Sequence, residues 1–275
     1  EFSGNRVKVF DVASITNGEN AVNILGQGNF VDADAADTQS GLRGPRGLAY
    51  DAVGNRLFVA EQLGHRVKVF DVAAITDGEN AINILGQTDY VTATAGHTQS
   101  KLSNPWGLTY DVANNRVFVA ELTGHRVKVF DVASITNGEN AVNILGQSDF
   151  ISATVADTQS GLYNPRGLAY NASNTRLFVV EFGGNRVKVF DVASITNGEN
   201  AVNILGQTNF TDDVADNTQS GLYYPTGLAY DASSTRLFVA EEQGHRVKVF
   251  DVAAITDGEN AINILGQTDY VTATA

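Results

Sequence analysis

The chain has 275 residues, 43% of them hydrophobic and 9% aromatic, enough to fill a core in one large domain or two small ones. Its 18 Lys and Arg against 31 Asp and Glu give a formal net charge of −13, so long-range repulsion disfavours a general binder of duplex DNA or anionic membranes. The lack of cysteine removes disulfides, thiolate nucleophiles, iron–sulfur clusters and cysteine zinc sites together. The lack of Met fits a mature or excised segment, and no run approaches 18 consecutive apolar residues. With no charged-then-apolar leader either, the sequence predicts a protein without a membrane span or retained signal peptide.

A 60-residue period organises the chain. RVKVFDV begins at Arg6, Arg66, Arg126, Arg186 and Arg246, NILGQ at Asn23, Asn83, Asn143, Asn203 and Asn263. Pro-x-Gly-Leu recurs at Pro45, Pro105, Pro165 and Pro225, which are all four prolines. In chain order, residues 1–5 match 181–185, so the first elements are a hairpin at 6–26, and four fuller units follow at 47–87, 107–147, 167–207 and 227–267. Each unit predicts four short strands between Gly, Asn, Asp or Ser turns. In the first unit these are strand a from Gly47 (GLAYD), b from Arg56 (RLFVAE), c from Arg66 (RVKVFDV) and d from Ala81 (AINILG). A turn of helix is expected at Val72 to Ile75, between c and d. No segment of helix length shows a helical period, which argues against βαβ and α-solenoid folds.

The expected fold is therefore all-β: residues 1–275 form one β-propeller of four-stranded antiparallel blades, four complete and one N-terminal half-blade. The recurrent Phe58 and Tyr50 types supply the packing between blades. Five periods need 300 residues, and the 25 absent ones correspond to 36–60, strands a and b plus a connection. Such a five-bladed ring lacking two strands leaves an apolar wall and a strand edge open. We therefore expect strand c at Arg6–Val12 to recruit another chain by β-augmentation, so that the chain is not a stable closed monomer.

Pro45-Arg46-Gly47-Leu48-Ala49, Leu57-Phe58-Val59-Ala60-Glu61 and Gly64-His65-Arg66-Val67-Lys68-Val69-Phe70-Asp71 together resemble the NHL repeat. Leu85-Gly86-Gln87-Thr88-Asp89-Tyr90 is similar to a segment of long bacterial NHL-type repeats. The resemblance covers the whole chain and implies a propeller. Functions in that family range over RNA binders, interaction scaffolds, lyases and secreted proteins. Two departures stand out: Glu61, Glu121, Glu181 and Glu241 replace the usual Asp, and a connection of roughly 20 residues between d and a lengthens the period.

Subtracting what every repeat contains isolates candidate site residues. Ten of the 18 basic residues are the strand-c Arg-x-Lys pairs and four are Arg56, Arg116, Arg176 and Arg236 in strand b. We expect these to be structural ion pairs with the Glu61 and Asp71 type carboxylates, their aliphatic stems packed between blades. The bases left are Arg43, Arg46, Lys101 and Arg166; the aromatics left are Trp106, Tyr163, Tyr223, Tyr224, Phe2 and Phe182. All but the two Phe fall just before or within Pro-x-Gly. In a propeller the d–a and b–c connections share one face, and the b–c tips vary here too, whereas the c–d connection is nearly invariant. Arg43, Arg46, Lys101, Trp106, Tyr163, Arg166, Tyr223 and Tyr224 are thus the candidate ligand residues, suited to a glycan or peptide through stacking, cation–π contacts and hydrogen bonds. The bland explanation is drift in exposed loops.

His65, His125 and His245 hold a place given to Asn5 and Asn185 elsewhere, which points to a turn role, and His97 is a singleton in a loop. No phosphate loop or nucleophile elbow occurs. Acidic runs at Asp32, Asp34, Asp37 and at Asp212, Asp213, Asp216 fit solvated loops better than calcium sites. The sequence thus points to a non-catalytic binding or assembly module without a cofactor, extracellular and bacterial. A metal-dependent lyase or lactonase is the alternative, and RNA binding is the weakest reading.

Overall fold

The computed structural model describes residues 1–274. β1 (Val7–Val9) and β2 (Asn23–Leu25) pair as a two-stranded sheet. Four four-stranded antiparallel sheets follow. The first blade holds β3 (Pro45–Asp51), β4 (Arg56–Glu61), β5 (Arg66–Asp71) and β6 (Asn83–Leu85). The second holds β7 (Pro105–Asp111), β8 (Arg116–Glu121), β9 (Arg126–Asp131) and β10 (Asn143–Leu145). The third holds β11 (Pro165–Asn171), β12 (Arg176–Glu181), β13 (Arg186–Asp191) and β14 (Asn203–Leu205). The last holds β15 (Pro225–Asp231), β16 (Arg236–Glu241), β17 (Arg246–Asp251) and β18 (Asn263–Leu265). Strand d is shorter than predicted. The expected turn of helix at Val72–Ile75 is absent, because the Asp71 carboxylate accepts the Ala73 N–H at 3.0 Å and folds the chain into a turn instead.

The blades stand in a ring as a propeller, and the core lies between them. Phe58, Ala60, Val67 and Leu85 of the first blade pack with Leu102, Leu108, Val119 and Phe130 of the second, and the same set recurs at the next two interfaces. Strand-b Phe and strand-a Tyr of successive blades stack with ring centres about 6 Å apart: Phe58 on Tyr110, Phe118 on Tyr170, Phe178 on Tyr230. The c–d connections reach the preceding blade, where Asp77 accepts the Ile24 N–H and Asn137 the Ile84 N–H, each at 3.0 Å. That contact accounts for their near-invariance.

Each blade also buries a cluster of charge. Glu61, Arg66 and Lys68 are all fully buried, with Arg66 Nε donating to Glu61 at 2.5 Å. Arg66 also donates to the carbonyls of Tyr90 and Thr92 in the following connection and to Asp37 in the preceding one. Lys68 donates to the carbonyls of Thr38 and Gly41. Burial lowers the Lys68 pKa to about 8. The strand-b arginines differ from expectation: Arg56 and Arg116 pair with Asp51 and Asp111 of strand a at 2.7 Å, across the a–b turn, and not with the strand-c Asp. The third blade has Asn171 there, and only its Arg176 turns to the strand-c Asp191, at 3.7 Å.

Around the axis the strand-a glycines let neighbouring backbones touch. A Cβ on Gly107 would lie 2.1 Å from the Arg166 carbonyl oxygen, whereas one on Gly227 would meet nothing closer than Ala240 at 3.7 Å. Gly107→Ala is expected to destabilise by roughly 3 kcal/mol through overpacking, and Gly227→Ala to be near neutral, as read by denaturant unfolding.

Candidate functional site

The Pro-x-Gly segments of all four blades surround an axial cavity of about 430 Å3, lined by Arg46, Trp106, Thr226 and the Gly-Leu pair of every strand a. On its rim the repeat-breaking residues form a stack. The Arg46 guanidinium lies 3.7 Å from the Phe2 ring centre and 4.0 Å from that of Trp106. Arg166 lies 4.6 Å from Trp106 and 3.3 Å from Phe182. Phe182 continues to Tyr224, and Tyr224 to Tyr223, at 5.0 and 5.5 Å. Blade order places Trp106 between the two arginines. Arg46 Nε donates to Gln62 at 2.8 Å and Arg166 pairs with Glu242 at 3.1 Å. Burial, and for Arg46 the neighbouring Arg166 charge, lower both guanidinium pKa values.

The structure thus brings Arg46, Trp106, Arg166, Tyr223 and Tyr224 together. It adds Phe2 and Phe182, which the sequence marked as non-periodic aromatics outside the Pro-x-Gly windows, and Gln62 and Glu242, for which the variability of the b–c tips was the sequence signal. Tyr224 sits at φ 49°, where the other repeats have Gly44, Asn104 and Asn164.

Three candidates lie elsewhere. Arg43 pairs with Asp37 at 2.7 Å. Tyr163 packs against Gly183 and the edge of His125. Lys101 turns inward and donates to Gln87 at 2.8 Å. Lys101 stands where other repeats have Gly41, Gly161 and Gly221, and its own loop has Gly96 where they have Ala36, Ala156 and Asp216. A Cβ on Gly96 would lie 2.9 Å from the Lys101 Cβ, so the two positions trade one volume.

Two of the four histidines join blades. His65 and His125 adopt φ near 50° and accept the backbone N–H of Asn104 and Asn164 at 3.1 and 3.2 Å through Nδ1. Asn5 and Asn185 accept from Gly44 and Tyr224 in the same way. His97 contacts Arg126 at 3.2 Å, the place of Asp37, Asp157 and Asn217 in other blades, so it is a periodic partner and not a stray loop residue. Burial lowers the pKa of His65, His125 and His97. A depressed folded pKa means that the unfolded chain takes up protons first. The associated stability is full above about pH 6.5 and lost as pH falls towards the folded values. Replacing His65 and His125 by Asn should preserve the fold and flatten the loss of stability below pH 6.5, measured by urea unfolding across pH 5–8.

A family model for the NHL repeat matches residues 102–130. NHL repeat-containing protein 2 of Homo sapiens is 31% identical over 120 residues, covering 41% of this chain and 16% of the relative. Its Gallus gallus counterpart is 30% identical over 108 residues, covering 38% and 14%. Protein SUPPRESSOR OF QUENCHING 1, chloroplastic, of Arabidopsis thaliana is 22% identical over 233 residues, covering 82% and 21%. The chain therefore spans only about a fifth or less of the length of these relatives. Among solved structures, a chain of a nidogen/laminin complex aligns with a TM-score of 0.54 at 19% identity, over 84% of this chain and 66% of that one, a likeness of fold alone. The matched stretch runs through β7, β8 and β9, and it recurs at the 60-residue period in every four-stranded sheet: the chain is an NHL-repeat β-propeller.

Proposed function

We propose that this propeller is a non-catalytic binding or assembly scaffold that takes a glycan or peptide at its axial mouth. The observation that carries the reading is the stack of Phe2, Arg46, Trp106, Arg166, Phe182 and Tyr224. Residues that had only drifted in exposed loops have no reason to form one continuous cation–π and aromatic stack from the N-terminal segment through all four blades. Tyr224 also holds a left-handed backbone costing roughly 1 kcal/mol, and strain of this kind collects at ligand sites. The RNA reading loses Arg43 and Lys101, whose cationic groups are engaged by Asp37 and Gln87. The lyase reading needs free histidines near the axis; His65, His125 and His97 are held by Asn104, Asn164 and Arg126, and the exposed His245 is not among the residues lining the axial cavity. On a glycan and peptide array, discrete ligands should be retained by the wild type and lost by the Trp106→Ala, Tyr224→Ala double variant. Two identical empty profiles overturn the reading.

We further propose self-association through the flanking faces. Leu265 is 55% exposed where Leu85, Leu145 and Leu205 are fully buried, and Phe10 is 44% exposed where Phe70, Phe130, Phe190 and Phe250 are fully buried. These are the two kinds of surface that pack on each other at every internal interface, and β1 is paired along one edge only. Their contact is head-to-tail. Light scattering of the 275-residue chain should show species above the monomer, and a second copy of residues 36–60 at its end should give a monomer of higher Tm. A monodisperse monomer with no gain in Tm overturns it.

A further inference from the structure

We propose that the ligand of the axial mouth is a carboxylate-bearing peptide, gripped by the in-plane N–H donors of Arg46 and Arg166; the inference rests on the mouth being a ligand site.

The charge balance at the rim is the first argument. The buried strand-c Arg and Lys of every blade have a carboxylate beside them. Arg46 has none within ion-pair distance among the described residues, only the Gln62 amide. Arg166 has one, Glu242, whose side chain is half-exposed, and its Nε is buried without a partner. Two cations thus share one acid at the rim.

Shape is the second. Rings of Phe2, Trp106 and Phe182 lie over the guanidinium carbons, and the N–H groups not engaged by Gln62 and Glu242 remain as donors. A planar fork of N–H groups matches the two oxygens of a carboxylate. A neutral sugar would need an uncovered aromatic face, and Trp106 lies between two guanidiniums. This favours the peptide over the glycan. Below the rim, the strand-a glycines and the leucines that follow them line a cavity of about 430 Å3, within the range of small-ligand sites. The net charge of −13 opposes an acidic ligand at a distance, but salt screens it beyond about 8 Å at physiological ionic strength, and the local pair prevails at contact.

Trp106 is the only tryptophan, so its emission reports on this site alone. The probes are an acetylated, amidated pentapeptide Gly-Glu-Gly-Glu-Gly, its Gln counterpart, the same Gln peptide with a free C-terminus, and trigalacturonate. The Glu peptide should bind at least tenfold more tightly than the amidated Gln peptide, and the free-acid peptide tells whether a chain end serves as well as a side chain. Arg46→Gln should abolish the difference and Arg46→Lys restore part of it, with unchanged thermal melts. Arg43→Gln, which removes a guanidinium paired with Asp37 and outside the aromatic stack, should bind as the wild type. Equal binding of the neutral peptide overturns the carboxylate and leaves the mouth standing. Binding of trigalacturonate alone overturns the peptide. Silence with every probe overturns the inference, and silence joined to an empty array overturns the mouth as well.

Discussion

Everything in this propeller hangs on a buried charge cluster that each blade repeats: one Glu, one Arg and one Lys with no access to water. Burying such charges is costly, and removing one partner of a buried pair typically costs 3–5 kcal/mol because the other is stranded. The cost is met here by completeness. Glu61 accepts from Arg66 and, at 2.6 Å, from the Arg43 backbone N–H, while the remaining donors of Arg66 and Lys68 go to the Asp37 carboxylate and to carbonyls in the connections before and after the blade. The cluster therefore does more than hold two strands together. It gives a fixed course to connections of roughly 20 residues that contain no strand and little apolar side-chain mass of their own.

Two kinds of contact then convert single blades into a ring. On one face, the c–d connections pair with strand d of the preceding blade; on the other, a His or Asn with left-handed backbone accepts an N–H of the following one. The first face is consumed by this work, and its residues recur with little change. On the second, one acceptor per blade suffices, and the residues around Pro-x-Gly and the b–c tips are free to differ. The axial mouth occupies that freedom.

Much of this was legible in the residues themselves. The period, the strand positions and the interlocking Phe and Tyr follow from spacing and side-chain type, because the same pattern repeats with one meaning. The destinations of Arg66 and Lys68 were only partly legible: Glu61 could be named as a partner, but backbone carbonyls carry no letter in a sequence. Phe2 and Phe182 were visible as departures from the pattern, yet their place on the rim depends on how far the b–c tip leans over the next strand a. Lys101 and Arg43 misled for the opposite reason. A charge next to Pro-x-Gly looks free in one dimension, and in three it finds Gln87 or Asp37 within reach.

The trade of volume between Gly96 and Lys101 limits how such a gene can be shuffled. Near-identical repeats exchange by unequal crossing-over, and most junctions between them are silent because the joined halves agree. A junction inside this six-residue window is not. It can set the alanine of one repeat against the lysine of another, two side chains where the fold has room for one. The pair is inherited together or the loop must be rebuilt, so a stretch that looks like free spacer is, for recombination, a single indivisible unit.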